Sequence, residues 1–116
     1  MQTALVAFDS KQLGLILTKM LSNFAFETVF AENVEQVREY LTTQKTDVFI
    51  TDWTFAGVDM TAFFSSLADK PITIFVSNVC QPEQIQKALD VGISEYIIKP
   101  FDNDILQSKL AMVGLL

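Results

Sequence analysis

Asp47-Val48-Phe49-Ile50-Thr51-Asp52 sets four apolar or β-branched residues between two acids, and three other segments end in a similar way. Ala4-Leu5-Val6-Ala7-Phe8 runs into Asp9, Ile74-Phe75-Val76 into Ser77, and Tyr96-Ile97-Ile98 into Lys99. Runs this short, rich in Val, Ile and Phe, read as strands buried on both faces. If the strands are parallel, all four polar residues emerge at one edge of one sheet, where open α/β folds bind their ligands. Two carboxylates, a hydroxyl and a lysine at that edge suit a divalent cation and a phosphoryl group.

The bulk properties narrow the field. A chain of 116 residues is expected to form one domain, 1–116. Half of its residues are hydrophobic, ten are Phe, and the net charge is -6. Without a basic patch to neutralise phosphates, direct nucleic-acid binding is not expected. No apolar stretch approaches the roughly 20 residues of a membrane helix, and Met1-Gln2-Thr3 leads into a strand without a basic leader. The single cysteine, Cys80, forms no internal disulfide, which fits a cytoplasmic location. The absence of histidine removes Ser-His hydrolases, imidazole-based zinc sites and a phosphohistidine carrier role.

Strands and helices alternate along the chain, which predicts an α/β fold with a parallel sheet. A strand at 3–8 feeds a helix capped by Ser10 or Asp9, with Leu13, Ile16, Leu17, Met20, Leu21 and Phe24 on its apolar face. A second strand is expected at 26–31. Asn33 caps the next helix, with Gln36 at the capping-box position and Val34, Val37 and Leu41 inward. The third strand covers 48–52, and Thr54-Phe55-Ala56-Gly57 reads as a loop. Asp59 caps a short helix bearing Met60, Phe63, Phe64 and Leu67. The fourth strand is 72–77, and the helix after it begins at Pro82 and stops at Gly92. The fifth strand covers 94–98, and the last helix, 103–113, is capped by Asp102 or Asn103. That helix carries more apolar surface than one core face needs, which fits a docking partner or a following segment.

Each polar strand end has an ordinary structural reading. Asp9 could cap the first helix, Asp52 could belong to a turn, Ser77 could be an idle hydroxyl, and Lys99 could pair with a surface acid. Four independent strand ends placing suitable groups at one edge weigh against all four at once. A phosphoryl-accepting carboxylate needs a divalent cation, a fixed cation such as Lys, and a hydroxyl for the product oxygen.

Taken together, Val6-Ala7-Phe8-Asp9-Ser10, the stretch Asp47 to Asp59, Ser77, and Gly92-Ile93-Ser94-Glu95-Tyr96-Ile97-Ile98-Lys99-Pro100-Phe101 resemble the receiver domain of two-component response regulators. The resemblance implies a flavodoxin-like, doubly wound five-stranded parallel sheet of (βα)5 form with strand order 2-1-3-4-5, an order known for chemotaxis-regulator-like single domains. It implies that Asp52 is phosphorylated by a histidine kinase or phosphotransfer protein. Asp9, Asp52 and the Thr54 carbonyl would bind Mg2+, Lys99 would pair with a phosphoryl oxygen, and Ser77 would be the switch hydroxyl. Tyr96 would be the switch aromatic, unless it is simply a half-buried strand tyrosine. The fourth helix, fifth strand and fifth helix would meet a downstream target or a second copy of the chain. Such a domain is not an enzyme beyond assisting phosphotransfer to and from its own aspartate.

Departures from the pattern qualify this. Phe8 stands where most receivers carry the first of two adjacent acids. A unit charge ~4 Å from a cation contributes about 1 kcal/mol in water and about 4 kcal/mol at intermediate dielectric, so magnesium binding is expected to be weakened rather than abolished. Ala56 stands where the family often has Pro. Asn78 follows the switch hydroxyl in place of a usual small residue and is expected to sit near the phosphoryl group, and Trp53 is expected to shield Asp52. A degenerate, phosphorylation-independent interaction module is therefore the alternative. A flavin binder with the same strand order would need a Gly/Ser/Thr-rich phosphate loop, which Asp9-Ser10-Lys11-Gln12-Leu13 does not supply.

Overall fold

The computed structural model describes residues 1–116. In chain order the elements are β1 (Gln2–Ala7), α1 (Lys11–Ser22), β2 (Phe26–Phe30), α2 (Val34–Thr43), β3 (Val48–Thr51), β4 (Thr54–Phe55), β5 (Val58–Asp59), α3 (Met60–Ser66), β6 (Thr73–Ser77), α4 (Pro82–Val91), β7 (Glu95–Ile98) and α5 (Asn103–Met112). Five strands form one parallel sheet in the order β2-β1-β3-β6-β7. Without the two-residue strands β4 and β5, which form a separate antiparallel hairpin, this is the expected 2-1-3-4-5 order.

Period-two alternation divides the strand side chains between two cores. Leu5, Ala7, Phe49, Phe75 and Tyr96 join Val37 of α2, Met60, Phe63 and Phe64 of α3, and Ala88 of α4. Ala4, Val6, Val48, Ile50, Ile74, Val76 and Ile97 join Leu17 and Leu21 of α1 and Leu106 and Leu110 of α5. The sheet is therefore covered on both faces, which is why its strands read as apolar runs rather than as alternating patterns. Asp47 fixes the start of β3: its Oδ2 accepts from Thr3 N–H at 2.7 Å, and its own N–H donates to Thr3 O at 2.9 Å. At the other end the buried Thr51 hydroxyl donates to Ala7 O at 2.8 Å.

The helix starts follow local chemistry. Ser10, not Asp9, caps α1, its Oγ accepting from Leu13 N–H at 3.1 Å. Asn33 caps α2 and Asp102 caps α5 through their side-chain oxygens. Pro82 opens α4, and Gly92 closes it at φ 115, a left-handed conformation that favours glycine. In α1 the buried side is Gly14, Leu17 and Leu21, flanked by Leu13, Met20 and Phe24. Ile16, expected to face inward, is exposed instead. It lies about 100° around the helix from Leu17, at the limit of the buried arc. The second strand stops at Phe30, one residue before the expected end, and the segment 54–59 is a hairpin rather than a plain loop.

Asp59 caps α3, its Oδ1 accepting from Thr61 N–H at 2.9 Å, Ala62 N–H at 3.4 Å and the Thr61 hydroxyl at 2.7 Å. The Thr61 hydroxyl is the main reason its carboxyl is held below the usual range; burial opposes it, and the amides of Ala62 and Thr61 reinforce it. A carboxyl with a depressed folded-state pKa stabilises the fold above its ordinary value, about 4, and loses that contribution as pH falls through the folded value. Asp59→Ala is expected to cost about 1 kcal/mol at pH 7. In urea denaturation followed across pH, the gap between wild type and variant should close below about pH 4.

Candidate functional site

Register alone brings four of the expected residues to one edge. Ala7 pairs with Thr51, so Asp9 and Asp52 lie just past the ends of neighbouring strands. Thr51 pairs with Phe75, and Ser77, two residues on, ends β6 beside Ile98. Lys99 follows immediately, its N–H donating to Ser77 O at 2.9 Å across a junction whose Lys99-Pro100 peptide is cis.

Both carboxylates are partly engaged by backbone amides. Asp52 Oδ1 accepts from Trp53 N–H at 2.6 Å, and Asp9 Oδ1 accepts from Ala56 N–H at 2.8 Å. Each keeps its second oxygen without a hydrogen-bond partner. The Ala56 contact depends on the hairpin, whose turn residues have positive φ: 50° at Ala56 and 77° at Gly57, the pattern of a type I′ turn. Trp53 O accepts from Met60 N–H at 2.9 Å, and Thr54 sits opposite Asp59. In an antiparallel pair, hydrogen-bonded and non-bonded positions alternate, so Thr54 takes the non-bonded position and its carbonyl is free for another partner.

Those donors fit a magnesium ion, which takes oxygen ligands and commonly only one or two protein carboxylates. No group of three or more His, Cys, Asp or Glu side chains converges anywhere in the chain. Phe8 is half-buried and packs against the core formed with α1 and α5. Its ring also helps line an open cavity of about 520 Å³ beside Asp9, with Leu15, Phe30, Phe55, Lys11 and Glu32. The wall where an acid was expected is thus apolar.

Lys99 is half-buried and makes no ion pair; the one ion pair in the chain joins Lys109 Nζ to Glu95 Oε1 at 3.0 Å, linking α5 to β7. Ser77 is buried, and its Oγ accepts from Val79 N–H at 3.1 Å. Asn78 between them is exposed. Tyr96 is turned inward, 4% exposed, and its hydroxyl donates to Val79 O at 2.7 Å. The Trp53 ring packs edge-on to Phe75 at 5.4 Å between centroids and donates its Nε1–H to Tyr96 Oη at 2.7 Å. The indole expected to shield Asp52 is thus engaged with Phe75 and Tyr96. The amide of Ala56 and both backbone groups of Val79 were not anticipated from the sequence. The only available signal was that a residue with an N–H stands at 56, where the resemblance suggests Pro.

A family model for the response regulator receiver domain matches residues 4–111. The chain is similar to the chemotaxis protein CheY1 of Helicobacter pylori, with 32% identity over 94% of each chain. It is also similar to the phosphate regulon transcriptional regulatory protein PhoB of Pseudomonas aeruginosa, with 26% identity over 97% of this chain but 51% of that protein. The chain therefore spans about half the length of PhoB. The receiver domain of the sensor histidine kinase PA1611 from Pseudomonas aeruginosa, solved with a magnesium ion coordinated in its active-site cleft, superposes with a TM-score of 0.82 at 17% identity, covering 97% of this chain and 98% of that one.

The hairpin makes opposite predictions for two substitutions at one position. Ala56→Gly relieves the positive φ and should raise stability by up to about 1 kcal/mol. Ala56→Pro forbids that φ and removes the amide that holds Asp9, and should destabilise by more than about 1 kcal/mol. Thermal and urea unfolding of the two variants checks both signs.

Proposed function

The chain belongs to the response regulator receiver family, and from that membership we propose that residues 1–116 form a receiver domain whose phosphoacceptor is Asp52. The observation that carries this reading is the convergence of Asp9, Asp52, Ser77 and Lys99 at one sheet edge, with an unpartnered carboxylate oxygen on Asp52. In the transfer, one Asp52 oxygen forms a bond to phosphorus. The bond to the donor, a histidine nitrogen of a kinase or phosphotransfer protein, breaks, and its electron pair stays on that nitrogen. Lys99, free of any carboxylate, supplies a point charge for a phosphoryl oxygen. The Ser77 hydroxyl bonds another phosphoryl oxygen.

Asp9, Asp52 and the Thr54 carbonyl would hold Mg2+, which when bound neutralises charge on the incoming group. With Phe8 in place of an acid, that binding is weakened. The readout face is α4, β7 and α5, where Ile98, Ile105 and Met112 are exposed for a downstream protein or a second copy of the chain. The domain acts as a signalling element of the cytoplasm, catalysing nothing beyond phosphotransfer to and from its own aspartate. No helix is long and apolar enough to cross a membrane.

Phe8 and the Asp9–Ala56 contact favour a second reading, a phosphorylation-independent interaction module. Intact-mass measurement after incubation with acetyl phosphate and magnesium separates the two. The first reading requires one added phosphoryl mass, lost in Asp52→Asn. An unmodified wild type, under conditions that modify an ordinary receiver, overturns the first. Titrating Trp53 fluorescence with magnesium chloride should give a response that Asp9→Asn removes.

A further inference from the structure

Three hydrogen bonds, passing through Tyr96 and Val79, connect the residue beside Asp52 to the hydroxyl of Ser77. Trp53 Nε1–H donates to Tyr96 Oη at 2.7 Å, Tyr96 Oη–H donates to Val79 O at 2.7 Å, and Val79 N–H donates to Ser77 Oγ at 3.1 Å. The chain has one consistent direction. An indole nitrogen only donates, a carbonyl only accepts, and a phenol with its single proton committed to Val79 can still accept from Trp53. Packing supports the same arrangement: buried from solvent, Tyr96 lies 6.4 Å from Trp53 and 6.3 Å from Phe75 between ring centroids. Residue 53 also reaches the acceptor, its N–H on Asp52 Oδ1.

We propose that Trp53 is a positioning residue that holds Tyr96 inward in the resting protein, before any phosphoryl group is present. An outward tyrosine would strip the partner from an indole N–H and from the Val79 carbonyl and would open a gap beside Phe75. The α4–β7–α5 face therefore already has its inward-tyrosine form at rest. Movement of Ser77 toward Asp52 acts on the same assembly from the opposite end, because it must release the Val79 amide. This deepens the switch role given to Tyr96 above, but it does not require Asp52 to be modified.

The chain has two tyrosines, Tyr40 and Tyr96, and one tryptophan, which makes a direct test available. Unphosphorylated protein is treated with tetranitromethane, and nitration at each tyrosine is followed by peptide mass. Wild-type Tyr96 should react more slowly than the less buried Tyr40. In Trp53→Phe the Tyr96 rate should rise about tenfold, a shift of about 1.4 kcal/mol, while Tyr40 is unchanged. A wild-type Tyr96 as reactive as Tyr40, or a rate unaffected by Trp53→Phe, overturns the proposal. Should Trp53→Phe raise both rates through loss of folding, hydrogen exchange at the Trp53 indole decides. It should accelerate in Tyr96→Phe, and an unchanged rate overturns the proposal. Neither measurement uses a phosphodonor, so failure of Asp52 to accept a phosphoryl group leaves these outcomes untouched.

Discussion

A sheet covered on both faces leaves charged side chains of its central strands nowhere to go except the strand ends. That constraint organises the whole chain. Phe49 and Phe75 fill one core while Val48, Ile50, Ile74 and Val76 fill the other, so a charge within these strands would be buried without a partner. Parallel pairing then gathers the C-terminal ends on one side, and the chemistry collects there. The two acids of the opening stretch show the rule from both ends: Asp47 ties the start of β3 to β1, and Asp52 emerges at the other edge.

Features set by local chemistry were legible in the sequence. Asn33, Asp59 and Asp102 each accept from an amide two or three residues on, and Pro82 and Gly92 bracket α4. Strand order was legible only through resemblance to a family, since no residue in β1 states which neighbour it takes. Ile16 was misplaced because a broad apolar face leaves the buried arc uncertain by one position. The hairpin escaped notice because Ala56 has no strong tendency toward positive φ.

Contacts that give the site its character join residues far apart in sequence. Asp9 meets Ala56 47 positions away, and Trp53 meets Tyr96 43 positions away. Neither partner carries a motif that announces the other. The sequence does show the raw materials: an N–H at position 56, a donor-only indole beside Asp52, and a tyrosine on β7. Their pairing follows from β1, β3, β6 and β7 lying side by side, with the hairpin amide of Ala56 reaching Asp9 just past the end of β1.

Phe8 ties the metal side of the site to the stability of the fold. Its ring is seated against the core under α1, and the neighbouring Asp9 already has the Ala56 amide as a partner. Replacing the ring with a carboxylate would surrender that packing and set a second negative charge beside the first. A proline at 56 would in turn need a different turn from the one now formed by Ala56 and Gly57. Phe8→Asp and Ala56→Pro would thus each disturb something the fold uses, core packing in one case and the hairpin turn in the other, so the acid pocket is altered at either position only at a cost in folding.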